Sequence, residues 1–384
     1  MTTTPEGVAR PPARQESKRV SQSVFDGSRL RVILLVDVLD GAQQRFLEVY
    51  EELSRQVASV PGHISDQLCQ SIENPSQWLI TSEWESAPPF LAWVNSEEHV
   101  RMVRPLHGCV RDTRSLRFHV VREVGGRSAV PAASAQRRLQ ESPRVGDGVI
   151  RHALTFTVKP GSEEEVAGIL AGYASPDPRV DDTTRLCRTS LFLHGNRVVR
   201  AIEVRGDLLA ALRHVARQPE VRAVEAAINP HLEQHRDLDD PESARVFFTR
   251  AALPAVHHVA AERGGETEGE TEGERHALYY PARTGLGMKL AELLAQQDER
   301  ATETPDSPLL CSTIFQRGDI VVRLVDVHGP LEADPARALG LADAAQAEEL
   351  TTLLDGADPA ERDLARLIAR ARMRLLTDRQ APCD

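Results

Sequence analysis

The chain has 384 residues, a net charge of −11 at neutral pH, a pI near 5.7 and 4% aromatic residues. This length suits about two to four ordinary domains. The acidic balance and the scattered Lys and Arg residues argue against a polyanion-binding surface, so no nucleic-acid partner is expected. No apolar stretch approaches the roughly 20 residues of a membrane span. Since residues 1–19 also lack an apolar signal core, we expect a soluble, cytoplasmic protein without a membrane partner.

The first elements predict a tail and one compact module. Residues 1–28 are polar and Pro-containing, which is typical of an unstructured tail. The module at 29–124 is predicted to contain, in chain order, a strand at 31–38, a helix at 41–59, strands at 63–72 and 77–85, a helix at 88–106 and a strand at 116–124. This order is βαββαβ.

Two further modules are predicted downstream, separated by linkers. Residues 125–148 are rich in Gly, Pro, Ala and Ser, and 261–274 carry a Gly-Glu-Thr-Glu repeat. The module at 149–260 is predicted to have strands at 149–158, 184–194, 197–206 and 244–251, with helices at 163–172 and 208–228. The module at 275–384 is predicted to repeat this order, with its last strand at 371–379 aligned to 244–250.

Short repeats support this division into three. The pairs Leu68-Cys69, Leu186-Cys187 and Leu310-Cys311 each lie in a strand-like run that is followed by a second one. Arg151-His152-Ala153-Leu154 and Arg275-His276-Ala277-Leu278 match residue for residue, which makes the second and third modules sister copies. We therefore predict an α+β protein of three tandem ferredoxin-like modules, each with helices on one face of an antiparallel four-stranded sheet. The repeated cysteines are expected to be core-filling thiols.

The predicted architecture leaves sheet faces to be covered. A bare sheet face is usually covered by another copy, so the modules are expected to pair face to face. Three modules leave one unpaired, which predicts a homodimer.

The aromatic residues are distributed unevenly along the chain. All three tryptophans, Trp78, Trp84 and Trp93, lie in the first module, together with His63 and His99. Tryptophan combines a large apolar face with one N–H donor, which suits a dry pocket for a flat aromatic ligand. Trp78 and Trp93 are therefore candidate substrate-binding residues, with a core plug or a dimer face as the alternative.

No standard cofactor or metal motif is present. The sequence has no dinucleotide or P-loop fingerprint, no H-E-x-x-H and no paired C-x-x-C. Gly285-Leu286-Gly287 lacks the rest of a phosphate loop. His231 and His235 have a spacing that could hold a metal, although a solvated helix end explains them as well. No cofactor and no metal are expected.

The residues of the first hairpin carry a family resemblance. The stretch Glu73-Asn74-Pro75-Ser76-Gln77-Trp78 through Trp84-Glu85-Ser86, with the helix to His99, resembles the antibiotic biosynthesis monooxygenases, which are dimeric α+β barrels. The resemblance implies oxidation of a phenolic or anthrone-like aromatic polyketide to a quinone with molecular oxygen, without metal or flavin. It also implies that Trp84 and Asn74 face the substrate, and His99 matches a His-bearing position of the family.

The other two modules resemble the SchA/CurD-like domain of actinomycete aromatic polyketide and spore-pigment clusters. The residues that carry this resemblance are Arg151 to Leu154, Gly195 to Arg200 and Asn229 to Glu233.

The implied chemistry needs few groups. A base takes a proton from the phenol or anthrone, and donors stabilise oxyanion charge in a desolvated pocket. His63 or His99 is the candidate base, since imidazole titrates nearest neutral pH. Trp84 and Asn74 are candidate donors.

The sister modules add His152, Tyr173 and His276 as candidate substrate-binding residues. The two histidines have a structural alternative, in which they hold a strand end to a neighbour.

Two other functions fit the sequence. The protein could be a non-catalytic partner that binds a polyketide intermediate and assists a cyclase or hydroxylase. It could also be a cyclase that uses acid–base chemistry without O2. The three hypotheses differ in their use of oxygen.

Overall fold

The computed structural model describes residues 20–121, 147–172, 174–234, 236–237, 240–261, 273–304, 306–331, 333–341, 344–356 and 363–383. The expected tail up to residue 19, most of both expected linkers and the candidate Tyr173 lie outside the described residues. Among the residues that are described, no helix is long and apolar enough to cross a membrane.

The first unit has a four-stranded antiparallel sheet with helices on one face. Its elements are β1 (Val20–Ser23), β2 (Leu30–Val38), α1 (Gln43–Val57), β3 (His63–Gln70), β4 (Gln77–Trp84), α2 (Ala87–Val94), α3 (Glu97–Val103), a 3-10 turn (Arg104–Gly108) and β5 (Val110–His119). The sheet order is β3-β4-β2-β5, and β1 lies outside it. This is the ferredoxin-like order of a βαββαβ unit.

Two predictions for the first unit need correction. The single helix expected at 88–106 is divided at Asn95 and Ser96, because the Ser96 hydroxyl accepts the His99 N–H at 3.1 Å and starts a new helix. The last strand begins at Val110, earlier than expected.

The remaining two thirds of the chain form the second and third units. The second unit contains β6 (Val149–Thr157), α4 (Glu163–Gly172), β7 (Arg185–His194), β8 (Arg197–Arg205), α5 (Leu208–Arg217), α6 (Pro219–Ile228), a 3-10 turn (Asn229–His231), α7 (Pro241–Ala251) and β9 (Ala252–Ala260). The third contains β10 (Glu274–Pro281), α8 (Gly287–Glu303), β11 (Leu309–Arg317), β12 (Ile320–Val327), α9 (Pro335–Ala338), α10 (Ala344–Leu353), α11 (Leu364–Ala371) and β13 (Arg374–Gln380).

These two units share one sheet, whereas the sequence predicted separate ones. The strand order is β10-β12-β11-β9-β6-β8-β7-β13. Strand β9 begins beside β6 and continues beside β11, while β13 pairs with β7 of the second unit. A bridge from Leu278 to Arg372 returns the path to β10, so the eight strands close into a barrel. Each unit therefore lends its last strand to the other.

The last strand of the second unit is not where the sequence placed it. Residues 241–251 form a helix, and the strand follows at Ala252–Ala260. Phe247 and Ala251, four residues apart, both pack into the core under the helices of this unit, which is helical spacing. The alignment of 371–379 with 244–250 was therefore wrong, since Ala371 ends a helix as Ala251 does.

Side chains from both units fill the barrel interior. The cluster contains equivalent residues of the two units, namely Ala153 and Ala277, Phe192 and Phe315, Val199 and Val322, Ala201 and Leu324, and Leu253 and Met373. Ion pairs also cross between the units, since the Arg275 guanidinium contacts Glu203 at 2.8 Å and the Arg188 guanidinium contacts Asp326 at 3.1 Å. The barrel is a packed core shared by two segments of the chain.

Two further expectations differ from the structure. Part of the expected tail is ordered, because Val20–Ser23 pairs with β9 as β1. Cys187 is not a free core thiol, because it forms a disulfide with Cys383 across a Cα–Cα distance of 5.1 Å. The bridge ties the end of the chain to β7, next to the strand that closes the barrel.

Candidate active site in the first unit

An aromatic cluster lies at the end of β4, on the helix-facing side of the sheet. Trp84 is fully buried, and its ring centroid lies 5.1 Å from His63, 5.3 Å from Phe90 and 5.3 Å from Trp93. Trp93 in turn contacts His99 edge to face at 4.3 Å. The structure thus brings four candidates from the sequence, Trp84, Trp93, His63 and His99, into one cluster.

A row of polar side chains crosses the sheet beside this cluster. The strand register aligns Asp66 with Ser82, Ser82 with Val32, and Val32 with Arg117. Aligned residues share a face, and Val32 is buried under the helices. A carboxylate, a hydroxyl and a guanidinium therefore lie on the same side of the sheet as the Trp84 ring.

Local sequence features fix the positions of the two histidines. His63 follows Gly62, whose φ of +83° favours glycine and whose Cα faces Pro89, since an added Cβ would lie 2.7 Å from that ring. His99 lies in the first turn of α3, which Ser96 caps. A turn before β3 and a helix cap after α2 thus bring the two imidazoles to the cluster.

The protonation of the site follows from burial. Desolvation, with the nearby Arg117 charge, lowers the pKa of His99 to about 4, so this imidazole is neutral at pH 7. His99 Nδ1 and Trp93 Nε1 are buried, and neither has a hydrogen-bond partner among the described residues. The site therefore offers one neutral imidazole nitrogen and one indole N–H without partners.

His63 has a carboxylate beside it. Its Nε2 lies 3.1 Å from Asp66 Oδ1, and the two side chains are only 6% and 11% exposed. The contact has ion-pair distance without hydrogen-bond alignment, since His63 Nε2 makes no hydrogen bond with the described residues.

Trp78 and Asn74 lie away from this cluster. Trp78 packs on Phe46 with ring centroids 5.4 Å apart, in a second apolar cluster. Asn74 is exposed in the turn before β4, where its Oδ1 accepts from the Ser76 amide at 3.1 Å. The eight residues of β4 separate this turn from Trp84, a length of about 25 Å. The structure does not bring Asn74 and Trp84 together.

The candidates of the other units do not join the cluster either. His152 lies on β6, where burial lowers its pKa to about 4. His276 is 4% exposed on β10, and its Nδ1 lies 3.4 Å from the Arg372 guanidinium, beside the bridge that closes the barrel. The His276 contact fits the alternative in which this histidine holds a strand end. Both remain predicted substrate-binding residues.

The residues that sequence reasoning missed are Arg117, Asp66, Ser82 and Phe90. The only sequence signal for the first three is the alternation of strand residues, combined with a register that the sequence does not reveal. Phe90 was one of several apolar residues in a predicted helix.

The first unit also has a cleft of about 480 Å³ between α1 and α3, which is lined by Glu48, Val49, Glu52, Leu53, Gln56, Glu98, Arg101, Met102 and Pro105. None of the aromatic cluster lines it, so we do not assign the cleft to the site. No group of three or more His, Cys, Asp or Glu residues is placed to hold a metal ion within the described part of the chain.

Comparisons with known proteins agree with both resemblances. Residues 29–105 match the family "Antibiotic biosynthesis monooxygenase", and residues 149–261 match the "SchA/CurD like domain". The latter match ends at 261, so for the third unit the resemblance depends on the internal repeats.

The whole chain has curated relatives. "Polyketide synthase CurD" of Streptomyces cyaneus is 62% identical over 372 residues, which are 95% of this chain and 98% of the relative. "Protein SchA" of Streptomyces halstedii is 61% identical over 374 residues, 95% and 97% of the two chains. Among solved structures, SnoaB of Streptomyces nogalater, described as a cofactor-independent oxygenase, aligns at 12% identity over 27% of this chain and 98% of its own, with a TM-score of 0.23.

Proposed function

This chain belongs to the SchA/CurD family, and we propose that its first unit oxidises a phenolic or anthrone-like aromatic polyketide to a quinone with molecular oxygen, without a cofactor. The match of residues 29–105 to the antibiotic biosynthesis monooxygenases supports the reaction class. The relative named as a polyketide synthase supports the substrate class.

The observation that carries the proposal is the cluster of Trp84, Trp93, His63 and His99. Trp84 is fully buried and forms the floor of the cluster, whereas Trp93 and His99 are partly exposed, and the Trp93 N–H and His99 Nδ1 have no partner among the described residues. An aromatic ligand that carries an acidic hydroxyl supplies both complements, a flat face and a polar edge.

The reaction requires a proton to be removed before oxygen reacts. His63, supported by Asp66, or the neutral His99 takes the proton from the substrate. The resulting anion passes one electron to O2, and the radical pair combines to a peroxide anion. The imidazolium returns its proton to this anion, which gives a hydroperoxide. Loss of water then leaves the new carbonyl, so substrate and O2 give quinone and water. The Trp93 N–H can donate to the oxygen that becomes negative.

A second candidate function is a non-catalytic partner that binds a polyketide intermediate for a cyclase or hydroxylase. The observation that favours it is the barrel, which takes up the second and third units and is filled by its own side chains. Because its interior is filled, the barrel is better suited to contacts with another protein than to binding a small ligand inside it.

We also propose that the chain consists of three βαββαβ modules, two of which pair within the chain and one of which pairs with a second copy. The open sheet face of the first unit carries Ile33, Leu35, Leu79, Leu116 and Phe118. Leu35 is 42% and Phe118 48% exposed. In the barrel, the sheet faces of the second and third units cover each other. In a homodimer, the first unit of the second copy would cover the open face of the first unit in the same way.

Oxygen uptake tests the proposed function. Chelator-treated protein should consume O2 with a simple anthrone, and mass spectrometry should show a product that has gained one oxygen and lost two hydrogens. Loss of the base typically costs a hundredfold or more, so His63→Ala or His99→Ala should slow uptake by roughly that factor. His107→Ala, an exposed histidine of the same unit, is the matched control. Saturable tryptophan quenching without O2 uptake would instead support the binding partner, and equal product under nitrogen would support a cyclase.

A further inference from the structure

Arg117 occupies a position in the site that the proposed reaction does not yet use. It lies on β5 in register with Val32, so its side chain is on the helix-facing side of the sheet. The guanidinium carbon lies 5.3 Å from the centroid of the Phe90 ring, over its face. Phe90 is itself 5.3 Å from Trp84 and 6.2 Å from Trp93, so the cation borders the aromatic cluster.

The positive charge of Arg117 is not paired within the described part of the chain. Four other arginines of the first unit have carboxylate partners. Arg29 and Arg31 contact Glu83, Arg55 contacts Glu52, and Arg111 contacts Asp37. No such ion pair joins Arg117 to a described residue. Although the residue is exposed, desolvation by the surrounding protein lowers its pKa. The guanidinium is therefore accessible, close to the aromatic rings and without a counterion from the described residues.

The charged and titratable groups around the site are arranged from one edge of the sheet to the other. Asp66 and His63 belong to the edge strand β3, and Arg117 belongs to the opposite edge strand β5. Three strand spacings separate the two edges, about 14 Å. His99 lies near the Arg117 edge. Burial, with the nearby Asp66 charge, raises the pKa of Tyr50 on α1. The site thus has a carboxylate at one side and a free guanidinium at the other.

We propose that Arg117 and His99 form an anion subsite that binds the ionised oxygen of a phenol or enol, so that the first unit selects ligands with an ionisable oxygen. This inference rests on the proposed function for the class of ligand, and it adds the residue that stabilises the anion. The ligand ring lies against the aromatic cluster while its oxygen accepts from the guanidinium, an arrangement that holds the electron-rich form before O2 arrives.

Binding of 1-naphthol under argon tests the subsite without any reaction. The absorption and emission of naphthol report its ionisation, so the ionisation constant of the bound ligand can be measured directly. A charge-assisted hydrogen bond stabilises the anion by about ten- to a hundredfold. The pKa of bound naphthol should therefore lie below that of free naphthol, and Arg117→Gln should reduce the ionisation constant by about that factor. Arg117→Lys should retain most of the effect.

Two controls separate charge from fold and from ring binding. Arg114→Gln removes the same charge from β5 on the opposite, open face of the sheet, where Arg114 is aligned with Leu35. It should leave naphthol ionisation unchanged. The methyl ether 1-methoxynaphthalene has no ionisable oxygen, so its affinity should not change in Arg117→Gln.

The outcomes distinguish this subsite from the proposed function. Equal ionisation of naphthol bound to Arg117→Gln and to the unmodified protein would overturn the subsite, even if O2 uptake occurs. An Arg117-dependent shift without O2 uptake from any anthrone would retain the subsite and reject the oxygenase. If Arg114→Gln reduced the ionisation constant of bound naphthol as much as Arg117→Gln, the effect would be one of general charge, and the subsite would also be overturned.

Discussion

Replacing Phe192 by alanine is expected to destabilise the barrel strongly, because this side chain fills the space between the two units. Phe192 is fully buried and belongs to the interior cluster with Phe315, Val199 and Val322. The hydrogen bonds of the closed strand path hold the walls apart, so the space cannot collapse fully. Truncation of a buried phenylalanine to alanine typically costs about 3–5 kcal/mol, so Phe192→Ala should lower the free energy of unfolding by this amount.

Urea unfolding measures this cost, and two spectroscopic signals distinguish unfolding of the first unit from unfolding of the barrel. All three tryptophans lie in the first unit, so their fluorescence reports on that unit, whereas far-UV circular dichroism reports on the barrel as well. With a denaturant slope of about 2–3 kcal/mol/M, the dichroism midpoint should fall by about 1–2 M. Leu209→Ala is the control, since Leu209 is 54% exposed on α5 and its loss should cost about 0.5 kcal/mol or less.

The double variant tests whether the interior is shared. Phe315→Ala should cost about as much as Phe192→Ala, because the two positions are equivalent. Residues of one cluster relax into the same cavity, so the effect of both substitutions should differ from the sum by more than about 0.5 kcal/mol. Additive effects within that margin would show that the two units have separate cores, and the shared barrel would be refuted.

Three further predictions address pH, thiols and assembly. Burial lowers the pKa of His99 and His152 to about 4 and of His258 to about 3, below an unfolded value near 6.5. The unfolded state therefore binds protons first, and stability should be full above about pH 7 and fall as the pH drops from 6.5 towards 4. The urea midpoint should be lower at pH 5 than at pH 7 and fall less in His152→Leu, while an unchanged midpoint would contradict this prediction. Thiol titration of the unfolded, unreduced chain should find three free cysteines, Cys69, Cys109 and Cys311, and five would show that Cys187 and Cys383 are not bridged. Leu35→Glu should convert a dimer to a monomer in sedimentation, whereas Leu209→Glu should not, and a monomeric unmodified protein would refute the homodimer.

The sequence by itself identified the repeats and the residues that form the aromatic cluster of the first unit. Trp84, Trp93, His63 and His99 were identified because all three tryptophans of the chain fall within one module. The hairpins and most helices were also predictable, since strand alternation, glycine turns and apolar periodicity are local properties of the chain. The resemblance to both families was likewise visible in short local motifs and is confirmed by the comparisons.

The tertiary structure decided how these elements combine. Strand exchange between the second and third units depends on pairings between residues far apart in the chain, such as β7 with β13, which no local pattern encodes. The candidate site also depends on tertiary structure, because the register of β2 with β5 places Arg117 beside Phe90. The length of β4 likewise separates Asn74 from Trp84. Residue types and spacing were local information, whereas register and strand partners are set by the burial of side chains in a core that forms only when the whole chain folds.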